Sequence, residues 1–304
     1  MKLLHIKSRA QHLALFRIAV FGIWFALILT SDISRYADLP PGLSDPKGVS
    51  AILGLPILLE YSGLLTALRL AGLLGCALCL LGVPPYRLIA PVTAVLVFYH
   101  DAAMKSLGSY VNHAQIVPLL LVILLAFFPA GDAYSISRSR GAEDRSPWLY
   151  RTPLISAAVL LAVTYAFIGA RRLFLGAVDV YLDGSLTRWV VARTLEYGAH
   201  DVSVGLSLLE NGFLTSLLIV GMVVTTIFEI LSPVALRTQT FRWAWLAVIT
   251  SFHVSTLFTM DIFFWENLIL IAVLFTPLTD LIVRRVSTLG GRSQLSPDEV
   301  AVSP

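Results

Sequence analysis

Long apolar stretches dominate this chain, and most of its charged residues fall in the shorter stretches between them. Eight apolar stretches come near the ~20 residues that an α-helix needs to cross a bilayer. They are 13–30, 63–83, 86–104, 113–130, 153–172, 212–232, 242–260 and 264–283. The pattern therefore predicts an all-α, multi-pass transmembrane bundle of about eight spans.

Two further segments predict helices that do not cross the membrane. The apolar piece 51–59 is too short to span and predicts a half-buried or interfacial helix in the first loop. In the longest connection, 173–211, the run LTRWVVARTLEYG alternates apolar and polar residues at helical spacing. Trp189 and Tyr197 suit the headgroup level. We expect one or two amphipathic helices that lie on the outer face or cap the bundle there.

Composition supports a membrane protein. The chain is 57% hydrophobic and 13% charged, whereas a soluble domain is about 25% charged. The net charge of +3 lies largely in loops, so it carries topology information and predicts no nucleic-acid partner. Cys76 and Cys79 share one helix face as small packing residues, and no second pair or nearby histidine completes a metal site.

The distribution of Lys and Arg predicts the orientation. With the N-terminus in the cytoplasm, thirteen basic residues fall in inside segments and seven in outside segments. The first run is longer than a signal core and no A-x-A-like site follows it, so we interpret it as a retained helix. The prediction is a cell-membrane protein with both termini cytoplasmic: a segment 1–12, a membrane domain 13–283 and a disordered tail 284–304.

In this topology, polar residues gather near the outer ends of several spans. They are Tyr99, His100, Asp101, Lys105, Asn112, His113, Gln115, Arg171, Arg172, Met260, Asp261, Trp265 and Glu266. Two interpretations stay open: each group solvates a helix end, or together they line an outward-facing polar pocket. In such a pocket His100 or His113 could transfer protons near neutral pH.

Four charged or polar residues fall inside the predicted spans. Arg17 and Arg69 could snorkel to the surface or pair with a carboxylate. Glu229 lies near the cytoplasmic end of the sixth span, where Arg17 is a candidate partner, and His253 lies near the middle of the seventh. We interpret His253 as a buried histidine with a hydrogen-bond partner. The chain contains no Walker, dinucleotide-binding, HExxH or nucleophile-elbow motif.

Five segments together resemble a known family in their order and spacing. They are LFRIAVFGIWFALILTSDISRYADLP, NHAQIVPLLLVILLAFFPAGDAYSISR, YAFIGARRLFLGAVDVYLDGSLTRWV, FEILSPVALR and SFHVSTLFTMDIFFWENLILIAVLF. The chain resembles the HTTM domain, the membrane domain shared with vitamin K-dependent gamma-carboxylase, over about 13–283. It would be a short, bacterial-type member.

The resemblance assigns two positions. His113 matches the family's important Asn-His histidine, and Arg172 matches the lysine implicated as the base that deprotonates reduced vitamin K. Arginine keeps its charge at any working pH, so Arg172 cannot serve as that base. The large C-terminal region of the animal carboxylase has no counterpart here. We therefore predict no gamma-carboxylase activity.

Three functions follow as hypotheses. The first is binding of a lipid-like or peptide ligand in the outward-facing pocket, through Asn112, His113, Arg171, Arg172 and Asp261. In the simpler alternative, the two arginines pair with Asp179, Asp183 or headgroup phosphates. The second is a membrane enzyme with quinone-linked redox or carboxylase-like chemistry that uses His113 or His100. The third is a transporter. The sequence identifies no cofactor, although a reduced quinone would suit the second hypothesis, and it predicts no oligomeric state.

Overall fold

The computed structural model describes residues 9–40, 43–46, 49–106, 113–136, 145–176, 181, 184–197 and 204–292. Its α-helices, in chain order, are α1 (Ala10–Thr30), α2 (Val49–Ile52), α3 (Leu55–Leu59), α4 (Ser62–Leu81), α5 (Tyr86–Lys105), α6 (His113–Ala126), α7 (Trp148–Arg171), α8 (Ser185–Tyr197), α9 (Gly212–Ile230), α10 (Ser232–Ala235), α11 (Gln239–Met260), α12 (Trp265–Phe275) and α13 (Leu278–Arg292). Short 3-10 turns form at Ile33–Asp38 and Gly205–Leu209, and a π-helical turn at Arg172–Gly176. The all-α prediction is confirmed.

Within the described ranges, six to seven helices are candidate membrane spans, where the sequence predicted about eight. Six helices, α1, α4, α5, α7, α9 and α11, are long and apolar enough to cross a membrane. In the described part of the fourth predicted span, α6 has 14 residues, which reach about 21 Å at 1.5 Å per residue. The eighth is a pair, α12 and α13, bent by 68°. Pro277 lies at the break, where proline interrupts helical hydrogen bonding.

The described residues form two compact units. The first unit contains the described residues within the ranges 9–106, 118–154 and 272–292. In it α4 packs between α1 and α5. Small residues allow these helices to approach closely: a Cβ on Gly75 would lie 2.6 Å from the Thr93 hydroxyl. Cys76 and Cys79 are buried on this packing face, as predicted.

The second unit contains 113–117 and 155–271. Here α9 and α11 pack together with α8 and the Gly205–Leu209 turn. The predicted amphipathic helix of the long connection is confirmed as α8. Its residues Leu186 and Val190 are buried against Leu208 and Met260, so α8 caps this end of the unit.

Two short segments complete the first unit. The piece 51–59 forms α2 and α3, which are too short to span, and Gly54 separates them with a φ of 84°. Leu55 and Leu59 are buried there. At the other end of the chain, α13 continues to Arg292, nine residues into the segment predicted as a tail, and 293–304 lie outside the described residues.

Candidate functional site

The predicted site residues fall into three groups. Asn112 and the side chain of His113 lie outside the described residues, so their place in a pocket stays a prediction. His100 belongs to the first unit, where its fully buried ring lies 3.2 Å from the Ser31 hydroxyl through Nε2. Arg171, Arg172 and Asp261 belong to the second unit.

Within the second unit, the three residues have different roles. The side chain of Arg171 is exposed, at the last residue of α7. Asp261 ends α11 in the left-handed conformation, with a φ of 55°, and is half-buried. Arg172 is the residue that enters the interior, so it is the predicted residue around which a site can be built.

Arg172 forms an ion pair with Glu229. Its Nη1 donates to Oε2 over 2.5 Å, and the side chain of Glu229 is 1% exposed while that of Arg172 is 26% exposed. The sequence topology put these residues at opposite ends of neighbouring spans. That assignment of depth is wrong for the pair, because a direct hydrogen bond requires both groups at the same level. The sequence offered Arg17 as a candidate partner of Glu229, whereas the partner within this unit is Arg172.

Close packing of α7 and α9 produces this contact. A Cβ on Gly169 would lie 2.8 Å from the Glu229 Cβ and 3.0 Å from the backbone nitrogen of Ile230. Two residues beyond the end of α9, the Ser232 hydroxyl lies 2.5 Å from the carbonyl oxygen of Ala162. Only glycine at position 169 permits this approach, which brings the Arg172 guanidinium to Glu229.

Aromatic residues of α7 and α11 surround the pair. The Arg172 Cζ lies 5.2 Å from the centre of the Phe252 ring, which is cation–π distance. Beside it, the Tyr165 hydroxyl lies 2.6 Å from His253 Nε2, and both side chains are buried. His253 is thus a buried histidine with a partner, as predicted. We call Tyr165, Arg172, Glu229, Phe252 and His253 the Arg172 cluster.

The Arg172 cluster combines three chemical capacities. The guanidinium has five N–H donors in a planar fork, so donors beyond the one on Glu229 can bind carboxylate, phosphate or carbonyl oxygens. The tyrosine and histidine form a hydrogen bond along which a proton can move. Arg172 also begins a π-helical turn, a feature that is frequent at functional sites. The cluster can bind a polar head group and exchange a proton beside it.

Sequence reasoning missed the Arg172–Glu229 pair, although a signal for it existed. Charges inside a membrane tend to pair with one another, and these are opposite charges in neighbouring predicted spans. The pairing was missed because Arg172 and Glu229 were assigned to opposite faces of the membrane. The contact of Tyr165 with His253 left no comparable signal, because a tyrosine within an apolar run is ordinary.

In the first unit, Arg17 is fully buried among neutral acceptors. Its guanidinium donates to the carbonyl oxygens of Ala130 (2.7 Å), Tyr134 (2.7 Å), Leu80 (3.2 Å) and Ala133 (3.2 Å). The expectation that Arg17 snorkels or pairs with a carboxylate is wrong. It ties the loop 127–136 and the end of α4 to α1, and Gly82 next to it has the positive φ of 65° and leaves room for Nη1.

Arg69 pairs with a carboxylate, as one of the two sequence alternatives predicted. Its Nη1 lies 3.2 Å from Asp32 Oδ1, just beyond the end of α1. The hydroxyl of Ser34 donates to the same carboxylate over 2.5 Å and Arg35 lies 3.2 Å from Oδ2. The Ser34 hydrogen bond first, and then the two guanidinium groups, hold the pKa of Asp32 below its usual value.

The Asp32 site makes part of the stability acid-sensitive. A lowered folded-state pKa gives stabilisation that is complete above the unfolded-state value, about 3.9, and is lost as the pH falls through the folded-state value. Replacing Ser34 by alanine brings the folded-state pKa of Asp32 closer to its unfolded-state value. We therefore expect the fall in Tm between neutral and acidic buffer to be smaller in Ser34→Ala than in the native protein.

The control for this experiment is Ser34→Thr, which keeps the hydroxyl and should retain the native fall in Tm. Both variants are measured by thermal unfolding in the same detergent over a pH series. An equal or larger acid-induced fall in Ser34→Ala would contradict the role of this hydrogen bond.

Among the residues that the structure describes, no group of three or more His, Cys, Asp or Glu could hold a metal ion. No protein-family model matches this chain, and comparisons with curated proteins and with solved structures give no match either. Membership of the HTTM family therefore stays a prediction based on the segments quoted above.

Proposed function

We propose that this protein binds, from the bilayer, an amphipathic ligand with an anionic or oxygen-rich head group, and that the Arg172 cluster recognises that head group. We propose further that it is a non-carboxylating member of the HTTM class. The observation that carries the binding proposal is the buried Arg172–Glu229 pair beside the Tyr165–His253 hydrogen bond.

The energetics of the pair support a functional role. Removing two charges from water carries a desolvation penalty that their attraction does not always repay, and an apolar pair of similar volume is often at least as stable. Ionisable residues within membrane spans are rare and, by default, candidates for functional sites. Here two ionisable side chains and the Tyr165–His253 pair meet at one place in α7, α9 and α11.

The surroundings of Arg172 favour a ligand with an apolar tail. Phe167, Leu173 and Phe174 are exposed on the same stretch of chain, in a helix long and apolar enough to span a membrane. A ligand that approaches along this surface travels through hydrocarbon and meets the partly exposed guanidinium. A lipid with a carboxylate or phosphate head group can both travel through hydrocarbon and bind the guanidinium. An acidic peptide side chain can bind the guanidinium but does not travel through hydrocarbon.

A second candidate function is proton-coupled chemistry on a reduced quinone. The contact of 2.6 Å between the Tyr165 hydroxyl and His253 Nε2 favours it, because a tyrosine–histidine pair can move a proton to or from a bound ring. This places the proton-handling role on His253, where the sequence suggested His113 or His100. Arg172 would hold a quinone oxygen and take no part in proton transfer.

The test compares binding of two probes, oleate and a decyl-tailed benzoquinone, to purified protein in nanodiscs. The informative variant is Arg172→Lys, which keeps the charge opposite Glu229 but lacks the planar fork. We expect about tenfold or greater weakening of oleate binding, because a bidentate charge-assisted contact is reduced to a single one. Arg188→Gln, which removes an exposed arginine of α8, is the matched control and should bind normally.

Comparing the binding of the two probes to these variants separates the two candidate functions. Weakened oleate binding in Arg172→Lys with unchanged binding of the benzoquinone supports the lipid ligand alone. Weakened benzoquinone binding in both Arg172→Lys and Tyr165→Phe supports the quinone function. Native affinity of Arg172→Lys for both probes would exclude the Arg172 cluster as the binding site.

A further inference from the structure

The last described helix, α13, exposes several large apolar side chains. Leu278, Leu281, Ile282 and Val286 are exposed on it, with Leu281 58% exposed, whereas Val283 is buried. Arg284 and Arg285 are exposed on the same helix. Apolar and basic residues combined along one exposed helix are typical of helices that lie in a membrane interface.

Contacts within the first unit place α13 at the edge of the membrane-spanning region. Asp280 accepts a hydrogen bond of 2.7 Å from His12 Nε2. His12 is the third residue of α1, which begins at Ala10 and is long and apolar enough to span. The start of α13 is therefore level with the first turn of a spanning helix. The bend of 68° at Thr276 and Pro277 turns α13 away from the direction of α12.

The end of the first unit that holds α13 and the start of α1 is basic. Besides the buried Arg17, the described side chains there include six arginines and two aspartates: Arg9, Arg87, Arg145, Arg151, Arg284 and Arg285, with Asp132 and Asp280. Among the described residues, the opposite end carries three basic and five acidic side chains, namely Arg35, Arg69 and Lys105 with Asp32, Asp38, Asp45, Glu60 and Asp101. Anionic lipid would be attracted to the α13 end and not to the other.

We propose that α13 is an interfacial helix that binds the anionic phospholipids of the leaflet at the α1 N-terminal end. Leu281, Ile282 and Val286 insert into the boundary between headgroups and acyl chains. Arg284 and Arg285 extend from this boundary and bind lipid phosphates, since long basic side chains reach outward while their stems stay in apolar surroundings. The ion pair of Asp280 with His12 fixes the depth of the helix.

The test measures amide hydrogen exchange over 279–288 in the full chain, reconstituted either in phosphatidylcholine nanodiscs or in nanodiscs with added phosphatidylglycerol. We expect exchange to be slower with phosphatidylglycerol by about tenfold or more, since each basic residue near an anionic surface adds roughly 1 kcal/mol, or about fivefold. High salt should remove most of the difference, because it screens exposed charges.

Variants separate the basic and the apolar contributions. Arg284→Gln/Arg285→Gln should abolish the dependence on phosphatidylglycerol, and Leu281→Ser/Val286→Ser should speed exchange in both lipids. Arg35→Gln, which removes an 83% exposed side chain at the opposite end, is the control and should leave the lipid dependence intact. Exchange over α1 and α4 reports whether each variant is folded.

Three results would overturn the proposal. Equal exchange of α13 in the two lipids means that anionic headgroups are not recognised. Very slow exchange in both lipids without salt dependence means that α13 crosses the membrane as part of a bent span with α12. A native lipid dependence in Arg284→Gln/Arg285→Gln means that these arginines do not bind the headgroups.

Discussion

Replacing Arg172 by methionine is expected to lower the free energy of unfolding by about 3–5 kcal/mol, because it leaves the carboxyl group of Glu229 buried without its partner. The side chain of Glu229 is 1% exposed, so water cannot substitute for the guanidinium. Equilibrium unfolding by SDS in mixed micelles measures the loss. Arg188→Met removes an exposed arginine from the same unit and should change stability by less than about 0.5 kcal/mol.

The double variant Arg172→Met/Glu229→Gln decides whether the ion pair causes the effect. Glutamine removes the buried charge, so the double variant should be more stable than Arg172→Met alone, even though it carries one more substitution. Glu229→Gln is measured alone as well. If the losses of Arg172→Met and Glu229→Gln simply add in the double variant, Arg172 acts through packing on Phe252 and not through Glu229.

The second large effect is expected at Arg17. Arg17→Met removes the donor for four carbonyl oxygens, and a buried acceptor left without a partner costs about 1–3 kcal/mol. We therefore expect a loss of at least about 3 kcal/mol in the free energy of unfolding. Amide exchange over the loop 127–136 should also accelerate, because three of these acceptors, Ala130, Ala133 and Tyr134, belong to it.

A second substitution of Arg17 and one control variant accompany this experiment. Arg17→Lys keeps the charge, but a single ammonium group cannot reach acceptors on both α4 and the loop, so it should also accelerate exchange in the loop. Arg35→Met removes an exposed charge and should leave both the stability and the loop unchanged. Native exchange over 127–136 in Arg17→Met would mean that the loop is held by other contacts.

The fold class was predictable from the sequence for a simple physical reason. The few charged residues of this chain cannot cover apolar runs of about 20 residues, so these runs lie in hydrocarbon. There an α-helix forms because it satisfies the backbone hydrogen bonds of each run internally. Hydropathy does not report where an apolar run stops being one straight helix. It could not show that the stretch 264–283 bends by 68° near Pro277.

The candidate site was predictable in part. Arg172 was identified from the sequence and does enter the interior of its unit. Its partner was missed because assignment of depth from Lys and Arg in loops treats each helix as a straight rod that ends at the membrane surface. The structure instead brings α9 against α7 at Gly169 and near Ser232, and Glu229 then meets Arg172. Such packing depends on side-chain shape, which charge counting ignores.

The burial of Arg17 has a consequence for biosynthesis. The donor is on the first helix, but its acceptor at Ala130 is made 113 residues later. At about 5–20 residues per second, the ribosome needs about 6 to 23 s to cover that distance. During this interval the Arg17 guanidinium lacks its acceptors at Ala130, Ala133 and Tyr134, so the first helix completes its native hydrogen bonds only after the later loop has been synthesised.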